Sequence, residues 1–192
     1  MGPVNSLEEL AKAAAACRRC PRVRPGSAVP GAGNGVVTAE VLFVGEAPGR
    51  LVAGRTGVPF VGDESGRRFD RLLALAGLSR ERVFVTNAVL CLPLDARGRN
   101  RVPARTEVRA CAPWLEAALG LVRAPVVAAL GATALAALGC IEPHGLTLGQ
   151  AAGTCHPWRG RRLVPLYHPS RQAELHRPWA RQAEDWQALI RG

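Results

Sequence analysis

Val37-Thr-Ala-Glu-Val-Leu-Phe-Val44, followed at once by Gly45-Glu-Ala-Pro-Gly49, decides the fold of this chain. A short apolar run closing on a Gly/Pro turn reads as a buried strand entering a loop. The pattern returns at 82–87 (RVFVTN), 125–130 (PVVAAL) and 162–167 (RLVPLY). Helical patterns separate these runs at about 65–77, 106–122 and 132–139, and a last one covers about 171–190. An earlier helix over about 7–16 opens on Ser6 with Glu9, a capping-box spacing, and 21–35 reads as a loop rich in Pro and Gly. Strands alternating with helices predict βαβ units. The expected fold is therefore α/β: one domain over 1–192 with a four-stranded parallel sheet flanked by helices on both faces, a three-layer sandwich.

Ligands of open parallel sheets bind at the carboxyl ends of the strands. The expected strands end in Gly45–Gly49, in Thr86-Asn87, in Gly131-Ala132-Thr133 and in His168-Pro169-Ser170. A Glu, an Asn and a His from three strand ends thus converge on one rim. Gly45, Pro48 and Gly49 leave the backbone of the first loop open to close approach. Farther on, Gly57-Val-Pro-Phe-Val-Gly62 sets Phe60 between two glycines ahead of a helix, where a ring serves either as a base-stacking platform or as core.

The chain has 192 residues, 48% hydrophobic and 21% charged, a composition that folds rather than staying disordered. Its formal net charge is +10 with a pI near 10.8, and Lys12 is the only lysine among 25 basic residues. Arginine forks pair with phosphate and stack on bases, which fits a nucleic-acid partner. No apolar run is long enough to span a membrane, and the N-terminus lacks the pattern of a signal peptide, so the expected compartment is the cytoplasm. Six cysteines there argue for a metal or cluster site, or for buried thiols, rather than for disulfides. Cys17-x-x-Cys20 after a helix is a half-site for zinc or an iron–sulfur cluster, but no second close pair accompanies it.

In order, Gly45-Glu-Ala-Pro-Gly49, Gly57-x-Pro-Phe-Val-Gly62, Thr86-Asn87 and His168-Pro-Ser170 resemble the motifs of the uracil-DNA glycosylase superfamily, and most closely its iron–sulfur branch, family 4. The resemblance runs from Cys17 to about Ser170. It implies a monofunctional hydrolase that flips uracil out of DNA and cleaves its N-glycosidic bond, leaving an abasic site for base excision repair. It also implies that Phe60 stacks on the base, Asn87 reads its Watson–Crick edge and His168 hydrogen-bonds its O2. Catalysis is thereby assigned to His168 and Asn87, and Glu46, the only carboxylate of the first loop, is the third candidate from the residues themselves. Uracil binding falls to Gly45, Glu46, Ala47, Gly49, Phe60, Asn87, His168 and Ser170. The amide chemistry agrees, since one Asn accepts from uracil N3–H and donates to O4, whereas cytosine presents the opposite pattern. Ala47 stands where better-known branches carry an aspartate, which leaves Glu46 either to position the water or to orient the loop. The stretch Arg50–Gly54 lacks the acidic pair of many family members.

The same resemblance implies a structural [4Fe-4S] cluster on Cys17, Cys20, Cys91 and Cys111, built around the N-terminal helix and loop of 7–35. Leu92–Ala110 is longer than usual, and Cys140 with Cys155 is the alternative second pair. Arg171 or Gln172, following the His loop, is expected to enter the space the flipped base vacates. Arginines at 97–109 and Arg159, Arg161 and Arg162 are expected to contact phosphates. The expected partner is uracil-containing DNA, single- or double-stranded, engaged by a monomer. Two other readings stand beside this one: a non-catalytic iron–sulfur nucleic-acid-binding protein, and a glycosylase for another deaminated base. The basic charge and lone CxxC disfavour a redox carrier.

Overall fold

The computed structural model describes residues 4–20, 23–24, 32–50 and 58–191. Most of the 21–35 loop, the residues Leu51–Gly54 and Gly57 therefore lie outside the described residues.

Each expected strand forms: β2 (Val41–Gly45), β3 (Val83–Asn87), β5 (Val126–Leu130) and β7 (Arg161–Leu166). They lie side by side in parallel in the order β3-β2-β5-β7. The sheet nevertheless has five strands, because β6 (His156–Trp158) adds antiparallel to β7 at the edge. Three residues reading HPW carry no alternation to announce a strand. The connection is the clue: Arg159 (φ 50°) and Gly160 (φ 69°) both take the left-handed backbone of a tight hairpin turn. A second ladder, β1 (Val23–Arg24) with β4 (Leu92–Pro93), pairs a fragment of the expected loop with the chain after β3.

Strand residues alternate between two cores, as a pleat requires. Leu42, Val44, Phe84, Val127, Ala129 and Leu163 face one side. There they meet α1 (Leu7–Ala15), α3 (Arg105–Leu121) and α4 (Ala132–Ile141) through Leu10, Leu115 and Leu135. Val41, Phe43, Val85, Ala128 and Val164 face the other, against Phe69 and Leu72 of α2 (Glu64–Leu75) and Trp186 of α6 (Trp179–Trp186). Phe43 packs edge-on to Phe69 at 5.1 Å and stacks on Trp186 at 5.3 Å between ring centres. A short α5 (Leu148–Ala151) precedes β6. No helix among the described residues is long and apolar enough to cross a membrane.

Local chemistry sets the helix ends. The Ser6 hydroxyl accepts from Glu9 N–H, while Glu9 reaches back to Asn5 N–H, one residue earlier than a strict capping box. The expected 171–190 helix is three pieces: 3₁₀ turns at Arg171–Leu175 and Gln187–Leu189 flank α6. Pro178 is responsible, because a helix running through it would lose a backbone donor and clash with the preceding turn, so it caps α6 instead.

Candidate active site

Loops from the carboxyl ends of β2, β3 and β7 enclose a cavity of about 210 Å³. Glu46, Ala47, Gly49, Phe60, Asn87 and His168 all line it. Neither Gly45 nor Ser170 lines the cavity, though Gly45 lies against Asn87 and Phe60. Arg171 and Gln172 stand exposed beyond it, with Arg171 reaching Glu64 at 3.5 Å.

Asn87 ends β3 with only 3% of its surface exposed. It pairs in register with Gly45, and a Cβ on that glycine would sit 2.6 Å from Asn87 Oδ1 and 3.4 Å from the Phe60 ring. Gly45 is thus the gap into which the amide and the aromatic fit. Gly45→Ala is expected to keep the fold, as judged by circular dichroism and melting temperature, yet lower any turnover at this cavity roughly tenfold or more by displacing the amide. An unchanged rate would show that Asn87 does not need this seat.

Phe60 adopts φ 57°, rare for a residue with a side chain, and is held there from several sides. Arg80 donates to Pro59 O at 3.0 Å and to Phe60 O at 2.6 Å. Gly66 lets the loop lie on α2, since a Cβ there would meet Phe60 O at 2.3 Å. The Phe60 ring stacks on Phe69 at 4.8 Å and stands 5.5 Å from His168, so one face is buried and the ring borders the imidazole.

His168 follows β7, where its own loop turns back through a bond from Ser170 N–H to His168 O. Burial pulls the imidazole down from its usual 6.5 to about 4, against the opposing pull of Asp63. It is neutral at physiological pH.

Two carboxylates border the cavity, only one of them foreseen. Glu46 accepts a 2.6 Å bond from Thr133 Oγ1 at the start of α4. Asp63, which sequence reading missed, caps α2 by accepting from Gly66 N–H at 2.7 Å through Oδ1. Its Oδ2 lies 4.0 Å from where a Gly49 Cβ would be. The cap spacing Asp63-Glu-Ser-Gly66 was the available clue. Asn100 and Arg101, from the long segment after Cys91, also line the cavity. Asn100 Oδ1 accepts from Arg50 N–H at 3.1 Å, and Arg101 makes a mostly buried pair with Glu107.

The second arginine cluster is bonded within the protein. Arg159 pairs with Glu116, Arg161 donates to Leu119 O and Val122 O at the end of α3, and Arg162 donates to Arg191 O. These residues sit at the start of β7, whereas the cavity lies at its end. Each of these guanidiniums bonds within the protein.

A separate cavity of about 180 Å³ is lined by Cys17, Cys20, Cys91 and Cys111 together with Trp114. Burial raises the Cys20 and Cys91 thiols and pushes Cys111 up to about 12, with neighbouring cysteines adding to each shift. Leu90 N–H donates to Cys111 Sγ at 3.3 Å. No three His, Cys, Asp or Glu among the described residues close around a single metal ion. Four thiols spread around one cavity fit a polynuclear cluster instead. Cys140 and Cys155 are exposed and line neither cavity.

Comparison with known proteins agrees with this geometry. The family model "Uracil DNA glycosylase superfamily" matches residues 32–190. The chain is 33% identical to the type-4 uracil-DNA glycosylase of Archaeoglobus fulgidus, across 93% of this chain and 88% of that protein. It is 34% identical to the type-4 enzyme of Saccharolobus solfataricus, across 91% and 80%. Its identity to the type-5 uracil-DNA glycosylase of Thermus thermophilus is 36%, across 82% and 84%. With a matching family model over most of its length and the motif residues gathered at one strand-end cavity, the chain belongs to the uracil-DNA glycosylase superfamily.

Proposed function

We propose that this protein hydrolyses the N-glycosidic bond of deoxyuridine in DNA. One observation carries the reading: a single small cavity holds a buried amide, a neutral imidazole, an aromatic face and two carboxylates. A base inside a duplex cannot reach such a cavity, so the nucleotide flips out of the stack to enter it. Phe60 then offers a face to the base. Asn87 pairs with N3–H and O4, and cytosine would leave both groups unpaired, at about 1–3 kcal/mol each. As the bond to the sugar breaks, negative charge gathers on uracil O2 and the His168 N–H donates to it. The sugar gains oxocarbenium character, and water adds to its anomeric carbon to leave an abasic site.

Asp63 is our candidate for positioning that water through Oδ2, the oxygen not used in its cap to Gly66 N–H. Glu46, with Oε2 accepting from Thr133, is the rival that Asp63→Asn and Glu46→Gln separate from it. Beside the cavity, Arg171, Gln172 and Leu175 share one protruding 3₁₀ turn, Leu175 being 82% exposed. We assign this turn to the gap left by the flipped base, with the apolar Leu175 suited to wedge against the stack. Exposed Arg97, Arg105 and Arg109 are candidates for phosphate contacts.

Cys17, Cys20, Cys91 and Cys111 are the residues that would hold a [4Fe-4S] cluster, tying α1 and α3 to the segment after β3. Bound there, the cluster supplies a structural crosslink. Cys91→Ala or Cys111→Ala is expected to abolish the broad visible absorbance of the anaerobically purified protein, and Cys140→Ala to preserve it. Retention in the first two variants would exclude this ligand set.

The deciding experiment for the reaction uses oligonucleotides bearing one uracil, treated with alkali after incubation. Strand breaks at uracil are expected. Their absence in both single- and double-stranded DNA would leave a binding protein without glycosylase activity, and breaks at hypoxanthine alone would reassign the substrate.

A further inference from the structure

Trp114 is 5% exposed and lines the cysteine cavity, yet its indole N–H has no hydrogen-bond partner among the described residues. Buried donors are rarely left this way, and such a group calls for an acceptor that fills the space beside it. Cys111 and Trp114 are three residues apart on α3, so both project to the same side of that helix. The guanidinium of Arg19 lies over the Trp114 ring at 5.3 Å and donates to Ala110 O, which holds the ring in place. The rest of the lining is apolar (Ala14, Val89, Leu90) apart from the four cysteines and the two arginines that follow Cys17. Of the other tryptophans none lines this cavity, and the one that shares an unpartnered indole N–H, Trp186, is closed in by core side chains and not beside a cysteine-lined space. Trp158 donates to Glu142 O, Trp179 stacks with Arg68 and Arg71, and Trp186 lies in the core on the opposite face of the sheet.

We propose that the Trp114 indole N–H donates a hydrogen bond to a sulfur of the bound iron–sulfur cluster, making Trp114 a non-ligating residue that positions the cluster and sets its reduction potential. The proposal rests on the reading that the four cysteines hold such a cluster. Leu90 N–H already supplies one donor to Cys111 Sγ, so Trp114 would be a second donor to the same group of sulfurs. Hydrogen bonds to cluster sulfurs stabilise the added negative charge of the reduced form and so raise the potential.

The test begins with protein purified without oxygen and labelled with ¹⁵N at the tryptophan indole nitrogen only. Iron and acid-labile sulfide analysis decides the cluster reading on its own, because a protein lacking both has no cluster for Trp114 to meet. With the cluster present and chemically reduced, pulsed electron paramagnetic resonance is expected to show coupling to one indole ¹⁵N. Trp114→Phe is expected to remove that coupling, keep the visible absorbance and move the potential to a more negative value. A full cluster with no indole coupling in the labelled wild type overturns the proposal, even where the Phe variant fails to assemble. An unchanged potential in an assembled Phe variant overturns it equally.

Discussion

Replacing His168 with alanine is expected to lower the single-turnover rate of uracil excision on the order of 100- to 1,000-fold, the usual cost of losing a donor aimed at developing negative charge. Binding to DNA that already carries an abasic site should change little, since the imidazole meets the base and not the backbone. The pH profile separates two forms of this donor. Burial holds the His168 pKa near 4 against an ordinary 6.5, so a neutral ring does the work. The excision rate should then stay level from about pH 8 down to about pH 5 and change only as the folded pKa is approached. A rate that climbs in acid with a midpoint near the ordinary 6.5 would make the cationic form the catalyst and refute the neutral one.

The same shift links His168 to folding. Between about pH 4 and 6.5 the unfolded chain takes up a proton that the folded protein refuses. Stability from this group is therefore complete above the unfolded value and declines as pH falls through that window. Urea unfolding of the wild type and the alanine variant across these pH values measures it, and the variant should show the shallower acid decline.

How much of this was legible in the sequence depended on whether the signal was local. β2, β3, β5 and β7 stood out because each is an apolar run bounded by turn residues, and their ends brought Asn87 and His168 to the same rim. β6 was hidden because its three residues become a strand only by pairing with β7. Pro178 stands inside the last helical pattern and breaks it, a local signal that the expected 171–190 helix ran through. Arg161 read as a phosphate ligand because charge is visible in a sequence, whereas the helix end that it caps is not. Asp63 escaped for a related reason. Its capping bond is local and readable, but its place at the cavity depends on Phe60 holding a left-handed backbone, with Arg80 and Gly66 supporting it from distant positions.

That double position of Asp63 makes Asp63→Asn the sharper test of water activation. Asparagine caps helices about as well as aspartate, so the bond to Gly66 N–H and the start of α2 should survive, and the melting temperature should stay near that of the wild type. What disappears is the negative charge and the second acceptor oxygen. A carboxylate that orients and deprotonates water contributes typically 10²- to 10⁴-fold, so excision should fall by roughly 100-fold or more with the affinity for uracil-containing DNA preserved. Glu46→Gln should cost much less, because a glutamine oxygen still accepts from Thr133 Oγ1 and keeps the first loop in place. Removing Asp63 also removes the charge that favours the His168 cation, so the imidazole should titrate lower still and remain neutral. The loss in Asp63→Asn should therefore be independent of pH between about 5 and 8. If Glu46→Gln instead suffers the large loss and Asp63→Asn stays active, the water is held by the first loop and Asp63 serves only as a cap.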